Sequence, residues 1–332
     1  MMLELFERDG AFRALDEYLA AEEFWTRDEP AQLFLAYGLA GDGPPEPCPL
    51  PLLACRIGPR RFAWQNDMAV GEWERSWTDE AYAAAIDAAR TAIYAGDVYQ
   101  VNLVQHLSAT FAGDPFAVAE SLAHLRPLAA PFVADEWAIV SASPELFLAR
   151  RGPRIWTCPI KGTRPLGESI DDAKDAAEHV MIVDLERNDL SRVCAPGSVR
   201  WPELMREREL AGVTHLVSTV EGTMREEATL ADILEATFPG GSVTGAPKLS
   251  AIEHIARLEP VGRGASMGAL GTLYPNGDFE LALTIRTFAI ADGRIHLWVG
   301  GGIVWDSDPE AEIEESWVKA RPLLRALQVP VA

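Results

Sequence analysis

Positive charge is scarce in this 332-residue sequence, which has 29 lysines and arginines against 50 aspartates and glutamates and a formal net charge of −21. Proteins that bind nucleic-acid backbones concentrate positive charge, so the composition argues against a nucleic-acid partner. An anionic ligand would need a metal ion or a few well-placed cations to overcome the surrounding negative charge.

Long apolar runs and leader features are also lacking. No stretch approaches the roughly 18 consecutive apolar residues of a membrane-spanning helix, and the opening MMLELFERDG is acidic, unlike a signal peptide. The few cysteines show no C-x-x-C spacing, which is typical of reduced thiols rather than disulfides or zinc ligands. They are Cys48, Cys55, Cys158 and Cys194. These features predict a cytoplasmic protein without a membrane partner.

What is present is an ordinary globular balance of 48% hydrophobic and 24% charged residues. Gly41 to Pro51 (GDGPPEPCPLP) is dense in proline, which predicts an exposed, extended segment. The hydrophobic pattern predicts helices at 11–22, 79–95, 114–125, 171–187, 229–237, 246–257 and 309–327. It predicts strands at 33–39, 98–111, 137–142, 145–150, 153–158, 214–222, 266–274, 279–290 and 294–305. Long strands without strict β-α alternation favour an α+β fold with large, mostly antiparallel sheets.

Two pairs of acidic residues share helix faces. Glu312 and Glu315 lie three residues apart on the last predicted helix, and Asp175 and Glu178 repeat this spacing in KDAAEHVMIVDLERNDL. Side-by-side carboxylates from two facing helices would suit a hard cation such as Mg²⁺. The same spacing also fits a solvated helix face on which Glu315 pairs with Lys319.

Glycine-rich stretches mark two further positions. FPGGSVTGAPKLSAIEHI (residues 238–255) leads small residues into a helix, whose first N–H groups can bind a carboxylate or phosphate. It is not a phosphate-binding Walker loop, because Ala246 and Pro247 follow Gly245, and a plain capped loop is the alternative. Gly300–Gly302 interrupt an apolar strand, which indicates close approach of another backbone or of a ligand.

Isolated cations and a histidine add to the candidates. Arg286 lies mid-strand in LALTIRTFAI, where a structural ion pair or an anionic ligand could balance it. Lys161 follows a predicted strand in CPIKGTRPLG and fits an exposed turn lysine or a functional one. His215 in GVTHLVSTV is equally consistent with a core histidine.

Taken together, these segments resemble the chorismate-binding enzyme family over about Trp77 to Leu327. The markers occur in family order: AGDVYQVNL, SPELFL, PIKGTRP, EHVMIVDLERNDL, HLVSTVEG, FPGGSVTGAPK, TIRTF, GGGIVWDS and the EAEIEES helix. So many ordered matches outweigh the separate structural interpretations of each motif. The resemblance implies a two-sheet α/β/β/α fold, with a shortened amino-terminal segment (1–76) packed on a catalytic domain (77–332).

The resemblance also implies roles. Glu178 and Glu315 would bind Mg²⁺, supported by Glu312 and Asp175, and the ion would hold the ring carboxylate of chorismate. The rest of the substrate would contact Gly162, Thr163, His215, Ser242, Ser266, Arg286, Gly300, Gly301 and Gly302. Leu166 and Ser266 stand where relatives often have an arginine and a tyrosine, respectively.

The residues at two positions distinguish the reactions of the family. Isochorismate-forming members have a lysine where Gln100 stands, and anthranilate synthases have alanine where Lys161 stands. The combination of Gln100 and Lys161 is similar to the aminodeoxychorismate synthase branch, with anthranilate synthase as the alternative. A non-catalytic chorismate-binding subunit is a third interpretation, against which the retained Lys161 and Glu145 argue.

The implied chemistry is amination of chorismate at C4. Lys161 would attack C2 as a neutral amine while Glu145 protonates the departing hydroxyl, and ammonia would then attack C4 and expel the lysine. The sequence shows no nucleophilic cysteine elbow and no tryptophan-binding leucine-serine motif. We therefore expect ammonia to come from solution or from a separate glutamine amidotransferase subunit, and no inhibition by tryptophan.

Overall fold

The computed structural model describes residues 2–58, 67–165, 173–210 and 213–327. The helices are α1 (Ala11–Ala21), α2 (Asp79–Ala95), α3 (Pro115–Leu122), α4 (Ala173–Ser191), α5 (Leu230–Thr237), α6 (Lys248–Leu258) and α7 (Pro309–Ala326). The strands are β1 (Met2–Leu5), β2 (Ala31–Leu35), β3 (Leu53–Ile57), β4 (Met68–Val70), β5 (Glu74–Arg75), β6 (Gln100–Gly113), β7 (Phe132–Val133), β8 (Trp137–Ser141), β9 (Leu146–Arg151), β10 (Arg154–Cys158), β11 (Ile160–Pro165), β12 (Arg200–Leu210), β13 (Val213–Thr223), β14 (Gly245–Ala246), β15 (Ala269–Leu273), β16 (Phe279–Leu283), β17 (Thr287–Ala291) and β18 (Arg294–Ile303).

Two large sheets form the fold. The first has ten strands in the order β1-β3-β2-β15-β16-β9-β10-β13-β11, with β12 added beside β13. The second has eight strands in the order β14-β6-β18-β17-β8-β7, with β4 and β5 also paired to β6. Every pairing within the described ranges is antiparallel. The predicted α+β fold with two large antiparallel sheets is confirmed.

The second sheet is buried on both faces. One of its faces shares the larger apolar core with the first sheet, and the other packs against α3 and α7 through a separate cluster that includes Leu107, Val118 and Leu323. This explains why β6 is buried along most of its length, including Gln100 and Asn102 on its polar side. Tyr99, which lies inside the predicted strand 98–111, precedes the observed strand and is 68% exposed.

Local sequence signals set the helix boundaries. The Asp308 side chain accepts a hydrogen bond from Ala311 N and caps α7, with Pro309 as the first helical residue. Thr229 and Asp232 form a reciprocal capping box at the start of α5. Helix α4 extends to Ser191, four residues beyond its predicted end.

The predicted strand 279–290 is wrong as a single element. It is two strands, β16 in the first sheet and β17 in the second, separated by a corner at Arg286, which has a left-handed φ of 50°. Both strands are largely buried, and no glycine or proline between them marks the corner. Arg286 therefore lies where the chain crosses between sheets and not mid-strand.

Several short or edge strands have no sequence prediction. The unexpected strands include β1 and β3, which place residues 2–57 in the same sheet as β15 and β16. The division between 1–76 and 77–332 stays a prediction.

No helix within the described ranges is long and apolar enough to cross a membrane. All four cysteines are free thiols.

Candidate active site

Glu145 and Lys161 are held together by three neighbouring backbone segments. Glu145 immediately precedes β9, and its backbone carbonyl accepts a hydrogen bond from Leu283 N at 3.0 Å. Its side-chain Oε1 accepts from Ile160 N at 3.3 Å, which places the carboxyl beside the start of β11. Lys161, the next residue, donates from Nζ to the carbonyl of Ser242 at 3.4 Å. The predicted catalytic pair therefore shares one site.

Burial moves both groups toward their neutral forms. Glu145 is 4% exposed, and desolvation raises the pKa of its carboxyl against the opposing charge of Lys161. Desolvation lowers the pKa of the Lys161 ammonium, while the negative charges of Glu145 and Glu178 oppose that change. A raised carboxyl pKa and a lowered ammonium pKa are the shifts that proton donation and nucleophilic attack require.

The loop that accepts from Lys161 is anchored by a buried ion pair. Arg263 donates to Glu259 Oε1 at 2.7 Å, to Val243 O at 2.9 Å and to Asn102 O at 2.7 Å. Arg263 and Glu259 are almost wholly buried, so this network fixes the loop next to Ser242 on the second sheet. Sequence reasoning missed the pair, although its i, i+4 spacing is the signal that could have found it.

His215 and Gly162 meet across β11 and β13. A hydrogen bond of 2.9 Å joins His215 Nδ1 to the carbonyl of Gly162. Burial lowers the pKa of His215, against the effect of that bond, and favours a neutral ring. Thr163 lies in β11 with its side chain outside the described part of the structure, and Leu166 also lies outside it.

Arg286 and Ser266 lie near the junction of the two sheets. The Arg286 carbonyl accepts from Ala142 N at 3.0 Å, and burial lowers the pKa of its guanidinium against the charge of Glu145. Ser266 precedes β15 rather than lying in it, and its hydroxyl is fully buried. Within the described ranges the hydroxyl has no hydrogen-bond partner. A buried hydroxyl without a hydrogen-bond partner costs free energy, which a hydrogen bond to a polar ligand group would recover.

The three glycines of β18 each allow a different close approach. A Cβ on Gly300 would lie 1.9 Å from Leu103 O, and one on Gly302 would lie 1.9 Å from Gln100 Nε2. A Cβ on Gly301 would lie 3.4 Å from Glu315 Oε1 and 3.5 Å from Glu312 Oε2. The strand thus packs against β6 at Gly300, accommodates the Gln100 amide at Gly302, and faces the carboxylates of α7 at Gly301.

The predicted metal ligands come from two helices. Glu312 and Glu315 converge over Gly301, and Glu178 on α4 lies within electrostatic reach of Lys161. The Asp175 side chain is outside the described part of the structure. Among the described residues, no three histidine, cysteine, aspartate or glutamate side chains group into a metal site. Magnesium binding therefore stays a prediction.

Lysine is rare in this chain, and Lys319 acts on Lys161. The chain has four lysines, at 161, 174, 248 and 319. Lys319 Nζ donates to Gly300 O at 2.9 Å and to Glu315 Oε1 at 2.7 Å, and its charge also acts on Lys161. Sequence reasoning treated Lys319 only as a surface partner of Glu315. Its position links the Gly300–Gly302 strand to the Lys161 region.

Comparison with known families supports the motif assignment. The family described as chorismate binding enzyme matches residues 45–325. Anthranilate synthase component 1 of Thermus thermophilus is 43% identical over 275 residues, which cover 78% of this chain and 59% of that protein. Aminodeoxychorismate synthase component 1 of Escherichia coli is 40% identical over 283 residues, 81% of this chain and 62% of that protein. The chain thus spans about 60% of the length of these relatives.

Solved structures agree on the fold. Anthranilate synthase component I from Streptococcus pneumoniae superposes with a TM-score of 0.80 at 26% identity, covering 90% of this chain and 81% of that one. The menaquinone-specific isochorismate synthase from Escherichia coli superposes with a TM-score of 0.75 at 20% identity, covering 98% and 84%. The second likeness bears on the fold alone.

Proposed function

Because the chain belongs to the chorismate-binding enzyme family, we propose that it replaces the C4 hydroxyl of chorismate with an amino group to give 4-amino-4-deoxychorismate. The observation that carries this proposal is the pairing of Lys161, whose pKa is lowered by burial, with the buried acid Glu145. An enzyme that adds ammonia without a covalent step has no need for such a lysine.

The reaction is a pair of displacements. The lone pair of Lys161 forms a bond to C2, the two conjugated ring double bonds both shift, and the C4–O bond breaks as Glu145 gives its proton to the departing hydroxyl, which leaves as water. Lys161 must be neutral for this attack, and burial favours that form.

In the second displacement ammonia bonds to C4, both double bonds return to their original positions and the C2–N bond to Lys161 breaks. The surplus proton on the new amine returns to the Glu145 carboxylate. The amino group thereby lies on the face that the hydroxyl left, because two displacements restore the original configuration.

Gln100 supports ammonia rather than water as the nucleophile. Its amide nitrogen lies against Gly302, and its buried Oε1 has no hydrogen-bond partner among the described residues. A neutral amide oxygen can accept a hydrogen bond from ammonia, whereas the lysine of isochorismate-forming relatives can activate water.

The donor set fits a magnesium ion. Carboxylate oxygens are hard ligands, and Glu312 and Glu315 already converge over Gly301. Glu178 and Asp175 would complete the set from α4. When bound, Mg²⁺ would neutralise the ring carboxylate of the substrate, while Arg286, His215, Ser242, Ser266 and the backbone of Gly162–Thr163 orient the remainder.

Anthranilate synthesis is the second candidate, because the Thermus thermophilus relative carrying that name is 43% identical. Anthranilate synthases resemble this chain but have an alanine at the position of Lys161. The buried lysine therefore favours C4 amination. The two products differ: anthranilate is fluorescent and forms with pyruvate, whereas aminodeoxychorismate keeps its enolpyruvyl group.

Product identification tests the proposal. The purified chain is incubated with chorismate, Mg²⁺ and ammonium chloride at alkaline pH, and the products are separated and identified by mass. We expect aminodeoxychorismate without pyruvate release. Anthranilate with an equal amount of pyruvate would favour the second candidate, and unchanged chorismate would remove both.

A further inference from the structure

A narrow cavity of about 10 Å³ lies between α4, β9, β10 and the loop that leads to Ser242. Thr157, Glu186, Asp189, Gly240 and Gly241 contribute to its wall. This volume is room for about one water molecule. The cavity adjoins the loop whose next residue, Ser242, accepts the hydrogen bond from Lys161.

Glu186 is the buried acid at this cavity. It is 8% exposed, and its Cγ would lie 3.6 Å from a Cβ on Gly241, so it packs directly under the loop. Burial raises the pKa of Glu186 to about 7, with repulsion from Asp189 and Glu145 adding to the effect. A hydrogen bond from the Thr157 side chain and the charge of Lys248 act in the opposite direction.

Glu186 also acts on the reacting lysine. Its negative charge raises the pKa of Lys161, as do those of Glu145 and Glu178, whereas Lys319 lowers it. The charge of Glu186 reaches Cys158 of β10 as well. Asp189, the other acid at the cavity, is instead paired with Lys248. Glu186 is thus a cavity carboxyl, outside the residues given catalytic, substrate or metal roles above, whose charge reaches Lys161.

We propose that Glu186, packed under the Gly240–Ser242 loop whose Ser242 carbonyl accepts from Lys161, is a positioning residue whose charge controls that of Lys161, an inference that rests on the proposed function. With its proton in place, Glu186 leaves Lys161 free to be the neutral nucleophile. Once ionised, Glu186 stabilises the ammonium form and restrains attack. The chain thereby ties the reactivity of Lys161 to a second buried group with no contact of its own to the substrate.

The sign of the effect follows from electrostatics. Removing the negative charge of Glu186 withdraws an attraction that favours the ammonium, so the pKa of Lys161 falls in Glu186→Gln. The effect of Glu186→Gln on the charge of Lys161 is absent in acid, where Glu186 of the wild type is already neutral. It develops as the pH rises through the pKa of Glu186. Thr157→Val removes the hydroxyl that stabilises ionised Glu186, so it acts in the same direction with smaller amplitude.

The pKa of Lys161 can be measured without any turnover. With only four lysines, protein labelled with ¹³C at lysine Cε gives four signals, and Lys161→Arg identifies the one of interest. We expect its titration midpoint to fall by about half a unit or more in Glu186→Gln, equivalent to a roughly threefold change in protonation ratio. The control Asp184→Asn removes an exposed charge of the same helix and should leave the midpoint unchanged.

Kinetics give a second readout. The ratio of variant to wild-type rate with ammonium cancels the ionisation of ammonia itself. For Glu186→Gln this ratio should rise by about threefold between pH 6 and pH 8.5, and for Asp184→Asn it should stay flat. A merely structural role for Glu186 would lower the ratio equally at all pH values.

An unchanged Lys161 midpoint in Glu186→Gln, measured in metal-free buffer and again with Mg²⁺, would overturn the inference whatever the rates. A lowered midpoint in a chain that forms no aminodeoxychorismate would support the charge coupling and instead refute the proposed function. The two failures are therefore distinguishable.

Discussion

The Lys161 amine gives up its proton more readily than an exposed lysine because burial disfavours the ammonium form. We expect Lys161→Ala to lower aminodeoxychorismate formation by more than about a thousandfold, since no other amine replaces the nucleophile. A trace of anthranilate is the expected residual product, because alanine is the residue of anthranilate synthases at this position.

Lys161→Arg is the matched control for charge. It keeps a cation at the site but provides no neutral amine at working pH, so it should be as inactive as Lys161→Ala. Both variants should still bind chorismate by calorimetry. Wild-type rates of aminodeoxychorismate formation in either variant would rule out the covalent-lysine step.

Glu178 and Glu315 are expected to hold magnesium from opposite helices. Glu178→Gln and Glu315→Gln should each raise the Mg²⁺ concentration needed for half-maximal activity by at least about tenfold, because each removes a charged oxygen ligand. Thermal stability without metal should stay level or rise, since one of several like charges is removed. Glu314→Gln, an exposed acid of α7 paired with Arg321, is the control. Wild-type Mg²⁺ titrations in both site variants would place the metal elsewhere.

The glycines of β18 differ in what a side chain added at each would meet where β18 packs against β6. In Gly300→Ala the new methyl meets a backbone carbonyl at 1.9 Å, which the sheet cannot accommodate without moving. We expect a loss of about 1–3 kcal/mol in the free energy of unfolding. In Gly302→Ala the obstacle is the end of the Gln100 side chain, so the fold should survive while amination falls.

Chemical denaturation and ammonium-dependent rates of the glycine variants check this difference. Gly301→Ala, whose methyl meets only ordinary contacts, is the reference for stability and not for rates, because Gly301 faces the proposed metal ligands. Equal stability of Gly300→Ala and Gly301→Ala would contradict the packing argument, and full activity in Gly302→Ala would show that the position of Gln100 is unimportant.

The β6–β18 pair also contains two stacked, buried histidines. His106 Nε2 lies 3.0 Å from His296 Nδ1, and burial lowers the pKa of His106 to about 3 and that of His296 to about 4. The unfolded chain takes up these protons near pH 6.5, so the stability contributed by the neutral pair is present above that pH and is lost as pH falls toward 4.

At pH 5 the loss is on the order of 2 kcal/mol for each histidine. We expect the urea unfolding free energy of His296→Gln to fall less between pH 7 and pH 5 than that of the wild type. His124→Gln, on the surface, should follow the wild type. If the unfolding free energies of wild type and His296→Gln fell in parallel between pH 7 and pH 5, the histidine pair would not be the cause of that loss of stability.

The thiols of the molecule bear on its source of nitrogen, because release of ammonia from glutamine needs an activated cysteine thiolate. Burial raises the pKa of all four cysteines, to about 12 for Cys48 and Cys55 and about 11 for Cys194, with Cys158 also raised. None is an activated thiolate of the kind that attacks glutamine. We expect this chain alone to form no product from glutamine, whereas ammonium supports turnover that increases toward the ammonium pKa of about 9.

A separate glutamine amidotransferase subunit should restore glutamine-dependent synthesis near neutral pH without changing the Mg²⁺ requirement. Product formation is followed by mass with ¹⁵N-amide glutamine as the only nitrogen source. Incorporation of the label by the purified chain alone would refute this division of labour.

Local signals in the sequence determined much of this protein. Caps and apolar stripes fixed α2, α5 and α7 close to their observed bounds, because those interactions lie within a few residues. The ordered motifs identified the family, and the structure brings together Glu145, Lys161 and Ser242 as those motifs imply.

Only the tertiary structure decided the rest. The corner at Arg286 is not signalled in the sequence because both strands are largely buried and no glycine or proline lies between them. The Arg263 anchor and the electrostatic reach of Glu186 to Lys161 depend on residues far apart in the chain. A pKa shift arises from the water and charges that surround a group, and folding alone places those around Lys161.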